Sequence, residues 1–217
     1  MFGIFKKKPE IKEKVQRSAA SGSEPASDNN LESTLKQRVE EIKQDKNAYE
    51  RLANDTFPGL TMYVRDVNLP KECAIKYSTG MIIKERGFTD ASRRVMGMIT
   101  SYRYSILSNH MADLSAFEHG TNWGLCVGQA GSHFKVLDIY EFRGKTQILL
   151  LHLPDDERWK MFEDLSFSIE EQLIQTSRQR FENKAFSDPI PELTSAAWLD
   201  RCKEPLGMFA DGTLFDL

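Results

Sequence analysis

Residues 133–153 read HFKVLDIYEFRGKTQILLLHL, and this stretch decides the expected fold. Two runs rich in β-branched, aromatic and leucine side chains are separated by the short connection Arg143-Gly144-Lys145. Runs of this kind joined by a short Gly-containing connection are typical of an antiparallel hairpin. The second run is apolar on both faces from Ile148 to Leu153, which predicts a central strand covered by helices on at least one side.

Further strands are expected upstream of this hairpin. Residues 123–127 are apolar and end at a Gly-containing connection, and β-formers alternate with Arg and Ser over 102–108. Between residues 60 and 88 the pattern suggests two short strands, one around 73–77 and one around 81–83. Thr89-Asp90 has the composition of a helix N-cap, so a short helix is expected over 91–99.

Helices are expected at both ends of this region. Residues 31–53 carry one apolar stripe at helical spacing, and acidic or capping residues begin further helices over 155–183 and 192–203. The order of elements predicts an α+β domain: a mostly antiparallel sheet of about four strands or more, with the N-terminal and C-terminal helices packed on one face.

The chain has 217 residues, a net charge of −3 and three cysteines. The charge gives no reason to expect nucleic acid, and three cysteines are too few for a disulfide framework, so a cytoplasmic protein with free thiols is expected. Residues 1–30 are expected to be a flexible basic tip and a Ser/Ala-rich linker, and residues 31–217 a single α+β domain. The tip, residues 1–17, has six basic and two acidic residues, which is typical of a solvated, frayed terminus and is compatible with weak peripheral contact with an anionic membrane. No run is apolar enough for a transmembrane segment.

The short motifs that bind phosphates, zinc or calcium are absent, and no cofactor is expected. All four histidines lie between residues 110 and 152. One hypothesis is therefore a small metal- or acid-base-dependent hydrolase, with catalytic candidates Asp113, Glu118, His119 and His133 and, if a metal binds, the ligands His110, His119 and His133. Cys126 beside His119 or His133 is a weaker nucleophile candidate, because a small buried side chain is ordinary in a strand. His152, inside the most apolar strand, is more typical of a core histidine.

The hypothesis favoured by the sequence is a non-catalytic, bacterial-type protein-binding module, immunity-like or inhibitor-like, with an acidic surface toward an unidentified protein partner. Residues 185–217 carry six acids and two bases, a net charge of −4 that suits a basic target. The long connection over 108–123 holds Phe117, His119 and Trp123, which are expected to form the binding surface. Packing of Trp123 against the sheet explains the same residue equally well.

Overall fold

The computed structural model describes residues 45–163 and 168–217, together with Ser33, Thr34, Gln37, Glu40 and Glu41. The expected basic tip and linker over 1–30 and most of residues 31–44 of the expected first helix lie outside the described residues.

The described helices are short apart from one. They are α1 (Lys46–Thr56), α2 (Lys71–Ala74), α3 (Ser168–Lys184) and α4 (Ala196–Arg201). Short 3-10 helices occur at Ser115–Phe117, Glu157–Phe162 and Pro191–Thr194. None of the helices in this part of the chain has the length and apolar character that crossing a bilayer requires.

One sheet of eight strands organises the described residues. The strands are β1 (Thr61–Val67), β2 (Ile82–Lys84), β3 (Thr89–Ser92), β4 (Tyr102–Ser108), β5 (Ala112–Asp113), β6 (Leu125–Gly128), β7 (His133–Phe142) and β8 (Lys145–His152). Their order across the sheet is β2-β7-β8-β4-β1-β3-β6-β5. Strands β4 and β8 run parallel, and the other neighbouring pairs are antiparallel.

The expectation of about four antiparallel strands with helices on one face was therefore wrong. The sheet is mixed, because β4 and β8 pair in parallel, and it has eight strands. It is also covered on both faces. Ile148 and Leu150 of β8 belong to a core with Tyr104 and Leu206, whereas the alternate residues of β8 pack with Phe162 on the opposite side. Side chains alternate along a strand, so the apolar strand β8 supplies both cores.

Five expected strands are confirmed, two expected elements are wrong and one strand was missed. The strands expected over 81–83, 102–108, 123–127, 133–142 and 146–153 correspond to β2, β4, β6, β7 and β8. The expected strand at 73–77 is the end of helix α2 followed by turns, the expected helix beginning at Thr89 is strand β3, and strand β1 was not expected.

Two charged pairs fix helix α3 on the sheet. Lys135 of β7 contacts Glu170 at 3.1 Å, and Arg178 donates two hydrogen bonds to Asp138 at 2.7 and 2.8 Å. A bulge between Val136 and Asp138 shifts the register of β7 against β8. This shift places Lys135 and Asp138 on the same face, although odd and even positions normally point to opposite faces.

Candidate functional site

Arg65 is a charged residue in the middle of the buried strand β1. It lies opposite Tyr104 of β4, and its side chain is 4% exposed. Its Nη2 donates to the carbonyl of Glu204 at 2.8 Å, and its Nη1 lies 3.4 Å from the carbonyl of Asp90. Its Nε has no hydrogen-bond partner among the described residues, and no carboxylate of those residues lies within 4 Å of the guanidinium. The positive charge is therefore buried with neutral carbonyl partners only.

A cavity of about 460 Å³ lies against this guanidinium. Strands β1 and β3, helix α4 and the C-terminal segment enclose it. We call it the Arg65 pocket, and it is lined by Arg65, Glu85, Phe88, Asp90, Arg201, Glu204, Pro205, Leu206, Met208, Phe209, Ala210 and Phe215.

The acidic residues of the Arg65 pocket differ in how they are held. Glu85 accepts hydrogen bonds from two backbone N–H groups, those of Gly87 and Gly207. Asp90 forms an ion pair with Arg201 at 2.9 Å. The carboxylate of Glu204, by contrast, has no hydrogen bond to any residue that the structure describes.

The inner wall of the Arg65 pocket is buried. Burial raises the pKa of Cys202 to about 12 and raises the pKa values of Tyr77 and Tyr104 as well. The two tyrosine hydroxyls lie 2.7 Å apart, and Tyr77 donates to the carbonyl of Leu206. A charged group at this place therefore interacts more strongly than it would in water.

A second cluster forms where β4 and β8 end side by side. The imidazoles of His110 and His152 pack against each other at an angle of 33° with centroids 3.9 Å apart, and Asp155 faces both rings. Its carboxylate oxygens lie 3.8 Å from Nε2 of His110 and 3.5 Å from Nε2 of His152. We call these three residues the histidine cluster. An open cavity of about 470 Å³ lies beside it, bounded by Asp55, Asn109, Asp156 and Arg158 among others.

The ionisation of the histidine cluster follows from burial and from its own charges. Burial lowers the pKa of His110, and His152 lowers it further. The contact with His152 holds the pKa of Asp155 below its usual value. The cluster therefore holds an ionised carboxylate and a neutral His110 near neutral pH.

The structure brings together only part of the expected metal and catalytic set. His110 is in the histidine cluster, whereas its expected companions His119 and His133 are not. His119 is exposed on the connection before β6. His133 is buried and stacks on Trp159 with centroids 4.2 Å apart, and burial lowers its pKa. Within the described residues, His110, His152 and Asp155 are the one group of three possible ligands.

The two acidic candidates organise the loop before β6. Glu118 accepts hydrogen bonds from the backbone N–H groups of Trp123 and Leu125, and Asp113 pairs with Arg93 at 2.6 Å. Both carboxylates therefore have a structural role, because they hold the loop in place.

The three expected binding residues differ in their surroundings. Phe117 is 73% exposed on its 3-10 turn, whereas Trp123 packs against Trp198 with centroids 5.4 Å apart. Trp123 therefore has a packing role. Phe117 and His119 are the exposed residues of the expected set, and both lie on the same loop.

Sequence reasoning missed Arg65, His152 and Asp155 as site residues. The signal for Arg65 is a basic residue among the β-formers of TMYVRDV, residues 61–67. For His152 the signal is a polar side chain at the end of an otherwise apolar strand, with an acid three residues later.

No protein-family model matches the chain, and no curated protein matches it. Solved structures resemble it weakly. The type III effector XopAI from Xanthomonas axonopodis pv. citri is 17% identical, with a TM-score of 0.39 over 45% of this chain and 46% of XopAI. The ADP-ribosyltransferase HopU1 of Pseudomonas syringae pv. tomato is 16% identical, with a TM-score of 0.40 over 43% of this chain and 46% of HopU1.

Exoenzyme S from Pseudomonas aeruginosa, solved with human 14-3-3 protein beta and carba-NAD, is 11% identical, with a TM-score of 0.40 over 67% of this chain and 76% of that one. The chain spans less than half of the length of XopAI and HopU1.

The similar structures differ in kind from the non-catalytic, immunity-like or inhibitor-like protein-binding module expected from the sequence, and that expectation is not retained. The similar structures include ADP-ribosyltransferases, which are enzymes, and bacterial effectors. The expected hydrolase is also unsupported, because His119, His133, Asp113 and Glu118 do not converge.

Proposed function

We propose that this chain is an enzyme that binds a nicotinamide dinucleotide in the Arg65 pocket and transfers its ADP-ribose group. The observation that carries the proposal is the Arg65 guanidinium, which is buried beside a cavity, has no carboxylate partner among the described residues and keeps an N–H group free.

A bound anion would compensate the buried charge of the Arg65 guanidinium. Burying a charged group costs several kcal/mol unless a partner of opposite charge compensates it. Carbonyl oxygens of Asp90 and Glu204 compensate the charge of Arg65 only in part. A phosphate group matches the planar donors of arginine and gives the strong, charge-assisted hydrogen bonds that neutral carbonyls do not.

The rest of the pocket suits the other parts of a nucleotide. Phe88, at 70% exposure, Phe209 and Phe215 present rings on which a base can stack. Carboxylates at the same cavity can accept hydrogen bonds from ribose hydroxyls. The volume of about 460 Å³ lies within the range of small-molecule sites.

The transfer reaction needs a negative charge near the ribose. The bond between C1′ and the nicotinamide nitrogen breaks, a bond from C1′ to the acceptor forms, nicotinamide leaves and the proton of the acceptor passes to water. Positive charge develops at C1′ as the first bond breaks, and a carboxylate stabilises it. We assign this role to Glu204, because Glu85 and Asp90 are already engaged by backbone N–H groups and by Arg201.

The ligand to test first is NAD, since the structures of Exoenzyme S and of C3stau2 from S. aureus were solved with carba-NAD and NAD respectively. NAD is titrated into the full-length protein in a calorimeter. Saturable one-to-one binding is expected, and Arg65→Met should abolish it.

Because Arg65 is buried, Arg65→Met can also affect folding, so Phe88→Ala serves as the second variant. Stacking is worth about 1–3 kcal/mol per base, so Phe88→Ala should weaken NAD binding by about tenfold. Phe117→Ala is the matched control, since Phe117 is equally exposed on a different loop. Equal affinities of Phe88→Ala and Phe117→Ala, or no binding of NAD to the unchanged protein, would overturn the proposed site.

Nicotinamide release tests the reaction separately from binding. Glu204→Gln should bind NAD as tightly as the unchanged protein and release nicotinamide at least about a hundredfold more slowly, as expected when a transition-state interaction is lost. Equal release rates would remove Glu204 from the reaction, and no release by the unchanged protein would contradict transfer.

A further inference from the structure

We propose that the histidine cluster, His110, His152 and Asp155, is a binding site for a divalent transition metal, with Zn²⁺ as the best match. One ligand atom from each residue lies within 4.8 Å of the other two. Imidazole nitrogen together with carboxylate oxygen is a donor set that suits zinc. The cluster lies beside a cavity separate from the Arg65 pocket, so this inference does not depend on the proposed function.

The hydrogen bonds of His110 leave its Nε2 as the ligand atom. The side chain of Asn109 is oriented by its Nδ2, which donates to the carbonyl of Thr56 at 3.0 Å. Its Oδ1 therefore faces Nδ1 of His110 at 2.8 Å and accepts a hydrogen bond from it. In the neutral ring the proton is on Nδ1, so the lone pair is on Nε2, which faces Asp155.

His152 is held in a similar way from inside the protein. Its ring is fully buried, and Nδ1 lies 2.9 Å from the hydroxyl of Ser108, which also accepts from the backbone N–H of His110. Its Nε2 has no close hydrogen bond to any described residue and lies 3.5 Å from the carboxylate of Asp155. Metal-binding histidines are commonly fixed through the second ring nitrogen in this manner.

The charges around the cluster favour a cation. The Asp155 carboxylate faces Nε2 of both imidazoles. The neighbouring cavity adds Asp55 and Asp156, and its basic residue Arg158 is already paired with Asp156 at 2.8 Å. A divalent ion held by the three residues is attracted by these carboxylates, and the open cavity provides a path of entry.

A modest adjustment brings the three donors to metal-ligand distances. Zinc binds nitrogen and oxygen at about 2.0–2.2 Å. The planes of the His110 and His152 rings are inclined at 33°, so one ring must turn for both lone pairs to meet at one ion. His110 can turn because its side chain is 30% exposed, whereas His152 is packed against Phe134. Three protein ligands leave one position for water on the cavity side.

The test is metal binding by the full-length protein after removal of bound ions with a chelator. Zn²⁺ is titrated by calorimetry, and Co²⁺ replaces it to give a visible absorption band that reports ligand geometry. One equivalent should bind with a Co²⁺ spectrum typical of four-coordinate nitrogen and oxygen ligands. Loss of an outer-shell partner alone costs about 10–100-fold in metal affinity, so His110→Gln and Asp155→Asn should each weaken binding at least tenfold.

The matched control is His119→Gln, because His119 is exposed and lies outside the cluster. It should bind Zn²⁺ like the unchanged protein. His110 and Asp155 are partly exposed, so their variants should keep the folded circular-dichroism spectrum. The inference is overturned if no saturable binding occurs, if His119→Gln weakens binding as much as His110→Gln does, or if Co²⁺ shows the charge-transfer band of a thiolate ligand.

Discussion

The three cysteine thiols show how burial sets the chemistry of single residues in this protein. Cys73, Cys126 and Cys202 are free and buried. Burial raises the pKa of Cys126 to about 11 and that of Cys202 to about 12, from an ordinary value of 9.0. A thiol with a raised pKa is a weak nucleophile near neutral pH, since the thiolate is the reactive form. Cys126 is therefore unsuited to the nucleophile role considered from the sequence.

The raised thiol pKa values predict a loss of stability in alkali. The unfolded chain ionises its thiols near pH 9.0, whereas folded Cys202 holds its proton to about pH 12. The stabilising effect of this difference is complete below pH 9 and is lost as the pH rises toward 12. Between about pH 8 and pH 10, Cys202 should lower the free energy of unfolding by about 1 kcal/mol.

Urea unfolding at these two pH values measures the effect. Cys202→Ala should show a smaller decrease in the free energy of unfolding than the unchanged protein. Equal decreases would mean that the folded thiol ionises as easily as the unfolded one.

At the scale of elements, the sequence predicts strands whose partners are local and misses those that depend on distant residues. Strands β7 and β8 form a hairpin, and their apolar pattern predicts them directly. Strand β1 has Arg65 and Asp66 at buried positions, which breaks the alternation of apolar and polar residues. Arg103 of β4 binds Asp66 at 2.6 Å, and no local pattern shows that pairing.

The residues of the candidate sites could not be predicted from the sequence either, because they are brought together by the pairing of distant strands. His110 and Asp155 are far apart in sequence and meet because β4 and β8 are parallel, so that their ends lie at the same edge of the sheet. The concentration of histidines between residues 110 and 152 made His119 and His133 candidates, and the topology separates both from His110. Likewise, the sequence predicts that Asp90 caps a helix. In the structure Asp90 lies on strand β3 and forms an ion pair with Arg201 of α4.

Residues 97–98 and 185–188 form a close contact between two connecting segments. Met98 donates from its backbone N–H to the carbonyl of Ala185 at 2.9 Å, and a Cβ added at Gly97 would lie 1.7 Å from the carbonyl oxygen of Ser187. Gly97→Ala should therefore push the segments apart and destabilise the protein by about 1–3 kcal/mol, the usual cost of overpacking.

Gly87→Ala is the control, since an added Cβ there meets only the flexible side chain of Glu85 at 3.4 Å. Thermal unfolding compares the two variants. A melting temperature of Gly97→Ala equal to that of Gly87→Ala would show that the two segments do not pack this closely.

At the scale of the whole molecule, the C-terminal segment completes the core on one face of the sheet. Leu206 and Met208 are buried among Tyr104, Ile106 and Val136, residues of the two strands β4 and β7. Leu206 also accepts a hydrogen bond from Tyr77 and donates one to Tyr104 through its backbone. The C-terminal segment thus covers strands from the middle of the chain. Because the same segment lines the Arg65 pocket, the pocket exists only when the segment is in place.

This arrangement predicts that the sheet and the C-terminal segment unfold together. Leu206→Ala should lower the free energy of unfolding by about 2–5 kcal/mol, the range for truncating a buried leucine. Because the same segment closes the Arg65 pocket, tryptophan fluorescence and far-ultraviolet circular dichroism should still give one coincident transition. Leu214→Ala, at 39% exposure, should change stability by less than about half as much. Separate transitions for the two signals in Leu206→Ala would instead show that the segment detaches while the sheet stays folded, and the pocket would then be a local and optional feature of the fold.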